Sequence, residues 1–192
     1  QEYVGGLVGY NAKNAKISSS YFREGDIIHN VPVREGAGVG GFVARNAGII
    51  AYSYVYGADA NIASGSGYSV SGLHAGGKAV TTSGFAGGFV YENTGTISNS
   101  YSNIWVKGAG AGFAHKNETE TSVIEYCYSL SSMRINDSTT YPFTNKNMAS
   151  TGVLNKGTVK DCFYLYNSSY VNMSNDAGVS LESDDFGDYN AF

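Results

Sequence analysis

The chain has 192 residues, a formal net charge of −4 and only 15% charged residues. This balance argues against nucleic-acid binding, which needs a basic surface, and no apolar run reaches the roughly 20 residues of a membrane helix. We therefore expect neither a nucleic-acid partner nor direct membrane insertion. The 26 Gly, 16 Tyr and only 2 Pro favour short paired strands joined by tight turns.

Two short phrases alternate along the chain. The first reads Gly6-Leu7-Val8-Gly9-Tyr10-Asn11, and its later copies begin at Gly41, Gly88, Gly112 and Pro142. The second reads Ile17-Ser18-Ser19-Ser20-Tyr21, and its later copies begin at Ile50, Ile97, Ile124 and Val159. Fixed strands with variable connections predict an all-β parallel β-solenoid (β-helix) of about five irregular coils, with two to three short strands per coil.

We predict one solenoid over residues 1–178. It carries a long Gly/Ser-rich insertion at 57–86, which is either an extra half-coil or a loop on one face. Residues 179–192 contain four acidic residues and no basic residue. This last segment is predicted to be an acidic tail, or a cap that blunts the open edge of the last coil.

In a parallel solenoid, equivalent residues of successive coils stack about 4.8 Å apart, so every repeated position becomes a column. Two apolar columns should point inward. The first is Leu7, Phe42, Phe89, Phe113 and Phe143, and the second is Ile17, Ile50, Ile97, Ile124 and Val159. A structural asparagine ladder should lie at a turn, with stacked amides hydrogen-bonded along the array. Its predicted members are Asn11, Asn46, Asn93, Asn117 and Asn147.

The two cysteines, Cys127 and Cys162, fall in one column where earlier coils have Ser20, Ser53 and Ser100. Adjacent coils would bring them within disulfide reach. The alternative is two stacked, buried thiols that behave as small hydrophobic groups. Two thiols are too few ligands for a metal site.

The next column holds aromatic residues, namely Tyr21, Tyr54, Tyr101, Tyr128 and Phe163. If the Ser/Cys column points inward, strict alternation turns this aromatic column outward. It would then be a binding or assembly ladder for a sugar, a peptide or another subunit. A kink at the polar residues before the Ser/Cys column would instead turn the rings into the core, and the sequence leaves both readings open.

No pattern predicts catalysis or a cofactor. The histidines are His29, His74 and His115, with no ligand spacing among them, and no predicted column stacks two carboxylates. A polysaccharide-cleaving site would need such carboxylates with a basic partner in one groove. Glycosylation sequons at Asn117, Asn136, Asn167 and Asn172 are close to the number expected by chance.

The phrases Gly5-Gly6-Leu7-Val8-Gly9-Tyr10-Asn11 and Gly95-Thr96-Ile97-Ser98-Asn99-Ser100-Tyr101 resemble the GLUG repeat. That repeat occurs in bacterial surface proteins, including adhesin-like proteins and the non-catalytic N-terminal regions of immunoglobulin A1 metalloproteases. The resemblance covers residues 3–166 and is best in the first three copies. It implies a β-solenoid stalk or platform without catalytic residues, and the protease motif His-Glu-x-x-His is absent from this sequence.

These observations lead to three functional hypotheses. The first is a non-enzymatic, extracellular or cell-surface segment that acts in adhesion, display or as a stalk. Its partner would be a protein or glycan on a host or neighbouring cell. The second is a structural subunit whose copies assemble into a fibre or larger complex, and the third is a carbohydrate-active β-helix enzyme.

Overall fold

A computed structural model describes residues 3–23, 27–29, 38–57, 72–75, 85–107, 109–133, 140–141, 155–165 and 177–182. Within these ranges the regular structure is all strand, and every strand pairing is parallel. No helix in the described part of the chain is long and apolar enough to cross a membrane. The predicted parallel β-solenoid is therefore confirmed.

Each complete coil contains five strands of two to four residues, more than the two to three predicted. Coil 1 holds β1 (Tyr3–Gly5), β2 (Val8–Asn11), β3 (Lys16–Ser18), β4 (Tyr21–Arg23) and β5 (Ile27–His29). Coil 2 holds β6 (Gly38–Gly40), β7 (Val43–Asn46), β8 (Ile49–Ala51), β9 (Tyr54–Tyr56) and β10 (Gly72–Ala75). Coil 3 holds β11 (Phe85–Gly87), β12 (Val90–Asn93), β13 (Thr96–Ser98), β14 (Tyr101–Asn103) and β15 (Trp105–Lys107).

The last two coils follow the same order. Coil 4 holds β16 (Ala109–Ala111), β17 (Ala114–Asn117), β18 (Val123–Glu125), β19 (Tyr128–Ser129) and β20 (Ser132–Met133). Coil 5 holds β21 (Thr140–Tyr141), β22 (Thr158–Lys160) and β23 (Phe163–Leu165), and β24 (Val179–Leu181) follows it. The count is higher than expected because the second phrase is bent at a corner into two strands and a further short strand precedes the first phrase in each coil.

Equivalent strands of successive coils pair into five sheets, which we number in the order in which a coil enters them. The sheets are β1-β6-β11-β16-β21, β2-β7-β12-β17, β3-β8-β13-β18-β22, β4-β9-β14-β19-β23-β24 and β5-β10-β15-β20. The register joins repeated residues directly, for example Ile50 to Ile97 and Ile97 to Ile124. The columns predicted from the sequence are therefore real columns of the fold.

The two apolar columns form the core. Phe42, Phe89 and Phe113 are fully buried, and their rings stack with centroids 4.9 and 4.8 Å apart. Ile50, Ile97 and Ile124 are likewise fully buried. In coil 1 the equivalent Leu7 is 45% exposed, because within the described structure no coil lies beyond it. Phe143 lies outside the described residues.

Paired glycines mark the corner between the first and second sheets. A Cβ on Gly41 would overlap the carbonyl oxygen of Gly88, and a Cβ on Gly88 would overlap that of Gly112. The backbones of successive coils therefore touch at this corner, and no side chain fits between them. This close approach explains why the first phrase opens with Gly in coils 1 to 4.

The predicted insertion at 57–86 is partly solenoid. It contains β10, which pairs with β5 and β15 in the fifth sheet, and the first residues of β11. Residues 58–71 and 76–84 lie outside the described ranges. The predicted tail at 179–192 starts with β24, whose residues pair in register with β23 and extend the fourth sheet. Residues 183–192 are not described, so whether the segment is a tail or a cap stays a prediction.

Candidate functional site

Four of the predicted asparagines form a hydrogen-bonded ladder where the second sheet meets the third. Each Nδ2 donates to the Oδ1 of the next coil, at 2.7 Å from Asn11 to Asn46, 2.8 Å from Asn46 to Asn93 and 2.9 Å from Asn93 to Asn117. The last three are fully buried. Because buried amides must find hydrogen-bond partners, this ladder ties neighbouring coils together.

The fifth member of the ladder is Asn155. Asn117 Nδ2 donates to Asn155 Oδ1 at 3.1 Å, and the two residues form a parallel bridge. The prediction that Asn147 fills this position is wrong, because Asn155 occupies it; Asn147 itself lies outside the described residues. The sequence contains a signal for this position, since residues 155–158 repeat the Asn-x-Gly-Thr pattern of residues 93–96.

The sequon at Asn117, one of the possible glycosylation sites, is not accessible in the folded chain. Its side chain has no exposed surface, and its Nδ2, the atom that would carry the sugar, bonds Asn155 and the Thr158 carbonyl oxygen. A glycan needs an exposed amide nitrogen. Asn136, Asn167 and Asn172 lie outside the described residues.

Cys127 and Cys162 are both free and buried, which is the stacked-thiol alternative and not the disulfide. Each Sγ contacts the carbonyl oxygen two residues earlier, that of Glu125 or Lys160, at 3.2 Å. Burial, together with the neighbouring Cys162 thiol, raises the pKa of Cys127. A raised pKa disfavours the thiolate, so Cys127 is a packing residue in this fold.

The Ser/Cys column closes the corner between the third and fourth sheets. Ser20, Ser53 and Ser100 donate from Oγ to the carbonyl oxygen two residues earlier, at 2.8–2.9 Å, as the cysteines do from Sγ. The residue skipped by this bond has a left-handed backbone in every coil. These corner residues are Ser19 (φ 49°), Tyr52 (52°), Asn99 (49°), Tyr126 (53°) and Asp161 (49°).

The aromatic column beyond this corner points outward. In β9 and β14 the middle residues, Val55 and Ser102, are fully buried, whereas the flanking residues are half-buried. The outward rings stack in register, with centroids 5.2 Å apart for Tyr21–Tyr54 and 4.9 Å for both Tyr54–Tyr101 and Tyr101–Tyr128. We call Tyr21, Tyr54, Tyr101 and Tyr128 the tyrosine ladder. Phe163 continues its register at the C-terminal side.

The geometry of the tyrosine ladder differs from the flat platform that an outward aromatic column suggests. The rings of each pair are parallel to within 9°, 2° and 4°. A ring with a neighbour on each face offers a ligand mainly its edge and its hydroxyl group. Burial raises the pKa of Tyr101 and Tyr128, so these hydroxyls are neutral hydrogen-bonding groups.

Two further tyrosines, which the sequence analysis did not single out, lie at the corner beside the ladder. Tyr52 is 65% exposed and Tyr126 is 49% exposed, with Asn99 between them in the intervening coil. A left-handed backbone costs a bulky residue about 1 kcal/mol or more. We define the tyrosine-rich edge as the tyrosine ladder together with Tyr52, Asn99 and Tyr126.

A charged cluster that the sequence analysis missed lies on the second sheet. Arg45, Glu92 and Lys116 occupy one column, and Arg45 Nε contacts Glu92 Oε1 at 2.6 Å. Glu92 is buried and lies beside Glu118. Burial and the Glu118 charge raise the pKa of Glu92, although the Arg45 guanidinium lowers it. The repeat pattern does not predict that Glu92 and Glu118 lie close together, because Glu118 follows β17 whereas Glu92 lies inside β12.

The rings of Tyr91 and His115 stack beside this cluster, with centroids 5.1 Å apart. Both side chains are buried. Burial, reinforced by the positive charge of Lys116, lowers the pKa of His115 to about 3. Burial and the Glu92 charge raise the pKa of Tyr91. Both rings therefore stay neutral at physiological pH.

Among the described residues, no group of three or more His, Cys, Asp or Glu side chains is placed to hold a metal ion. His29 and His74 lie in β5 and β10, two strands that pair in the fifth sheet, whereas His115 lies in β17. Of the predicted site residues, the fold brings the tyrosines into one outward ladder and the asparagines into one buried ladder. A comparison with protein-family models, characterised proteins and solved structures finds no match. The resemblance to GLUG repeats therefore stays a prediction.

Proposed function

We propose that this chain is a non-enzymatic β-solenoid segment that acts at an extracellular or cell surface, in adhesion or display. Its contact surface is the tyrosine-rich edge. The single observation that supports this proposal is the composition of that edge. Coils 1 to 4 each contribute one outward tyrosine to the tyrosine ladder, and coils 2 and 4 add the exposed Tyr52 and Tyr126 beside it. Tyrosine combines a large apolar area with a hydroxyl group and is enriched at binding surfaces.

The mechanism is rigid presentation. Backbone hydrogen bonds between successive coils hold the edge, for example from Tyr54 N to Ser20 O and from Tyr101 N to Ser53 O, both at 3.1 Å. The buried asparagine ladder fixes the neighbouring corner. A preorganised surface loses little conformational entropy on binding. The partner would be a protein or glycan on a host or neighbouring cell.

A binding assay with a matched pair of variants tests this function. Fluorescently labelled chain would be titrated onto bacterial and epithelial cells, together with Tyr54→Ala/Tyr101→Ala and the control Thr96→Ala/Thr158→Ala on the third sheet. Binding that the tyrosine variant loses and the control keeps supports the proposal, provided that circular dichroism shows both variants folded. Equal binding of both variants rules the edge out as the contact surface.

The size of the protein in solution distinguishes the assembly hypothesis from the adhesion hypothesis. Sedimentation velocity over a hundredfold range of chain concentration would show a constant monomer for an adhesin segment and growing species for a fibre subunit. Growth that Tyr54→Ala/Tyr101→Ala abolishes would assign the ladder to assembly instead of adhesion.

One observation favours an enzyme as the second candidate. Glu92 lies beside Glu118, with Arg45 in contact with Glu92. Paired carboxylates with a basic partner are what polysaccharide cleavage needs. Against it, Glu92 is only 5% exposed, so a substrate could not reach its carboxyl group in this conformation. Release of reducing ends from a panel of polysaccharides, lost in Glu118→Gln, would establish this activity.

A further inference from the structure

The corner column that runs beside the tyrosine ladder has a composition and spacing suited to one class of ligand. We propose that Tyr52, Asn99 and Tyr126 bind an extended, neutral, β-1,4-linked glycan that lies parallel to the solenoid axis. This inference deepens the proposed function and rests on it, since it assigns the chemistry of the partner to one part of the tyrosine-rich edge.

The three residues form one straight column. Tyr52 N donates to Ser98 O at 3.2 Å, and Asn99 N donates to Glu125 O at 3.2 Å, so the corners of coils 2, 3 and 4 stack in register. Tyr126 N in turn donates to Lys160 O at 3.1 Å. Two coil steps of about 4.8 Å separate the tyrosine backbones by about 10 Å. One asparagine lies midway between them.

The turn itself does not explain the tyrosines at this corner. Tyr52 is 65% and Tyr126 49% exposed, and both have a left-handed backbone, which disfavours a bulky side chain. The same corner holds Ser19 and Asn99 in other coils, so small polar residues satisfy the turn. A large aromatic ring held outward at a strained position indicates a role outside the fold.

The column is uncharged over coils 1 to 4. Its neighbours at the ends of β3, β8 and β13 are Ser18, Ala51 and Ser98, also uncharged. Charges begin in coil 4, where the equivalent neighbour is the half-buried Glu125 and Lys160 Nζ lies 5.8 Å from the centroid of the Tyr126 ring. The surface is uncharged around Tyr52 and Asn99, and the two opposite charges beside Tyr126 offset each other, so it suits a neutral, hydroxyl-rich ligand better than a charged peptide or an anionic polymer.

An extended β-1,4-linked chain matches this alternation. Each sugar advances about as far as one coil of a parallel solenoid, and successive sugars are flipped about the chain axis. Every second sugar therefore presents the same apolar face in the same direction. Sugars stacked on Tyr52 and Tyr126 would place the intervening sugar against the Asn99 amide, which can donate to and accept from its hydroxyl groups.

The test is isothermal titration of the whole chain with hexasaccharides of β-1,4-linked glucose, mannose and N-acetylglucosamine. The α-1,4-linked glucose hexasaccharide serves as the matched control for linkage. The variants are Tyr52→Asn and Tyr126→Asn, which copy the residue that coil 3 already carries at this corner and so keep the turn. Ser19→Asn, in the same column but outside the Tyr-Asn-Tyr unit, is the control variant.

We expect at least one β-1,4-linked hexasaccharide to bind and the α-1,4-linked one not to bind. Each tyrosine variant should weaken binding at least fivefold, in line with the loss of one aromatic contact, while Ser19→Asn leaves it unchanged. Two results overturn the inference: no binding of any β-1,4-linked probe, or binding that both tyrosine variants retain.

The cell-binding assay described above distinguishes failure of the glycan proposal from failure of the proposed function. If the chain binds cells through the tyrosine ladder but binds no β-1,4-linked probe, the edge is a contact surface for another ligand. In that case this inference fails alone. Cell binding that protease treatment of the cells removes would assign the edge to a protein partner and would also overturn it.

Discussion

The asparagine ladder and the tyrosine ladder are both columns of one residue type, but they meet opposite surroundings. The asparagines are buried, and each amide bonds its equivalent in the next coil. The tyrosines are partly to largely exposed and contact one another through stacked rings. Repetition alone therefore does not reveal what a column does.

The two columns differ in what happens to their surroundings when a side chain is removed. A buried amide removed from its ladder leaves its neighbours without partners, and no water can reach them. An outward tyrosine that is removed leaves space that water fills. The buried columns are accordingly explained by stability. The outward ones, above all the strained Tyr52 and Tyr126, need a different explanation, which the proposed binding supplies.

The largest predicted effect is at a buried position with no room for a side chain. Gly88→Ala places a methyl group against the Gly112 carbonyl oxygen of the next coil, so the coils must separate. We expect loss of the cooperative fold, or about 4 kcal/mol or more of stability, measured by urea unfolding. Gly9→Ala is the control, because its nearest neighbour would be Tyr3 O at 3.3 Å. Similar losses in both variants would contradict close coil contact at Gly88.

The asparagine ladder itself comes next. Asn93→Ala leaves Asn46 Nδ2 and Asn117 Oδ1 without their partner in the ladder, and each unsatisfied buried group costs about 1–3 kcal/mol. We expect a loss of about 3 kcal/mol in the free energy of unfolding. Asn103→Ala, a half-buried residue of the same coil, should cost under about 1 kcal/mol. A ladder that contributes nothing would show equal losses in the two variants.

A pH-dependent effect should arise from His115, which lies in the same strand as Asn117. Burial lowers the pKa of His115 to about 3, whereas the unfolded chain takes up this proton near pH 6.5. The free energy of unfolding should therefore fall as the pH drops from about 6.5 towards 3, by up to about 1.4 kcal/mol per pH unit.

Comparison with a variant isolates this histidine. Glu92, whose pKa is raised by burial, acts in the opposite direction: its contribution is present at acidic pH and is lost as the pH rises through its folded pKa. The wild type and His115→Gln share Glu92, so the difference between their stabilities at pH 4.5 and pH 7 reports His115. Identical slopes would mean that the pKa of His115 is the same in the folded and the unfolded chain.

The smallest predicted effect is at the exposed corner. Tyr52→Asn removes a ring that is 65% exposed and introduces a residue that tolerates the left-handed backbone. We expect a change in the free energy of unfolding of under about 0.5 kcal/mol, in either direction. A loss above about 2 kcal/mol would show that Tyr52 has a structural role, and it would remove the strain argument for binding.

Much of the fold could be read from the sequence because inward positions repeat. The columns through Ile50 and Ile97, and through Phe42 and Phe89, followed from spacing and were found in register. In the last coil the pairing of Tyr141 with Ala111 agrees with a first phrase that begins at Pro142, but the ladder asparagine does not follow at the usual spacing. The Asn-x-Gly turn at residues 155–157 marks that position instead.

The candidate site was only half predictable. The tyrosine ladder followed from repetition, but its direction depended on whether the Ser/Cys corner kinks the chain. The left-handed residues at that corner could not be inferred, because Tyr52 and Tyr126 are unusual choices for such a backbone. The Glu92–Glu118 pair was missed because the two residues do not occupy equivalent positions of the repeat.

The sequence by itself determined that this chain stacks in parallel coils, which residues share a column and which columns are apolar. These properties follow from repetition, and a parallel ladder joins each strand to its own equivalent. Only the tertiary structure decided that a coil has five strands and that the tyrosines face outward. Those outcomes depend on how the chain turns each corner and on which coil lies beside it, and neither is contained in one repeat.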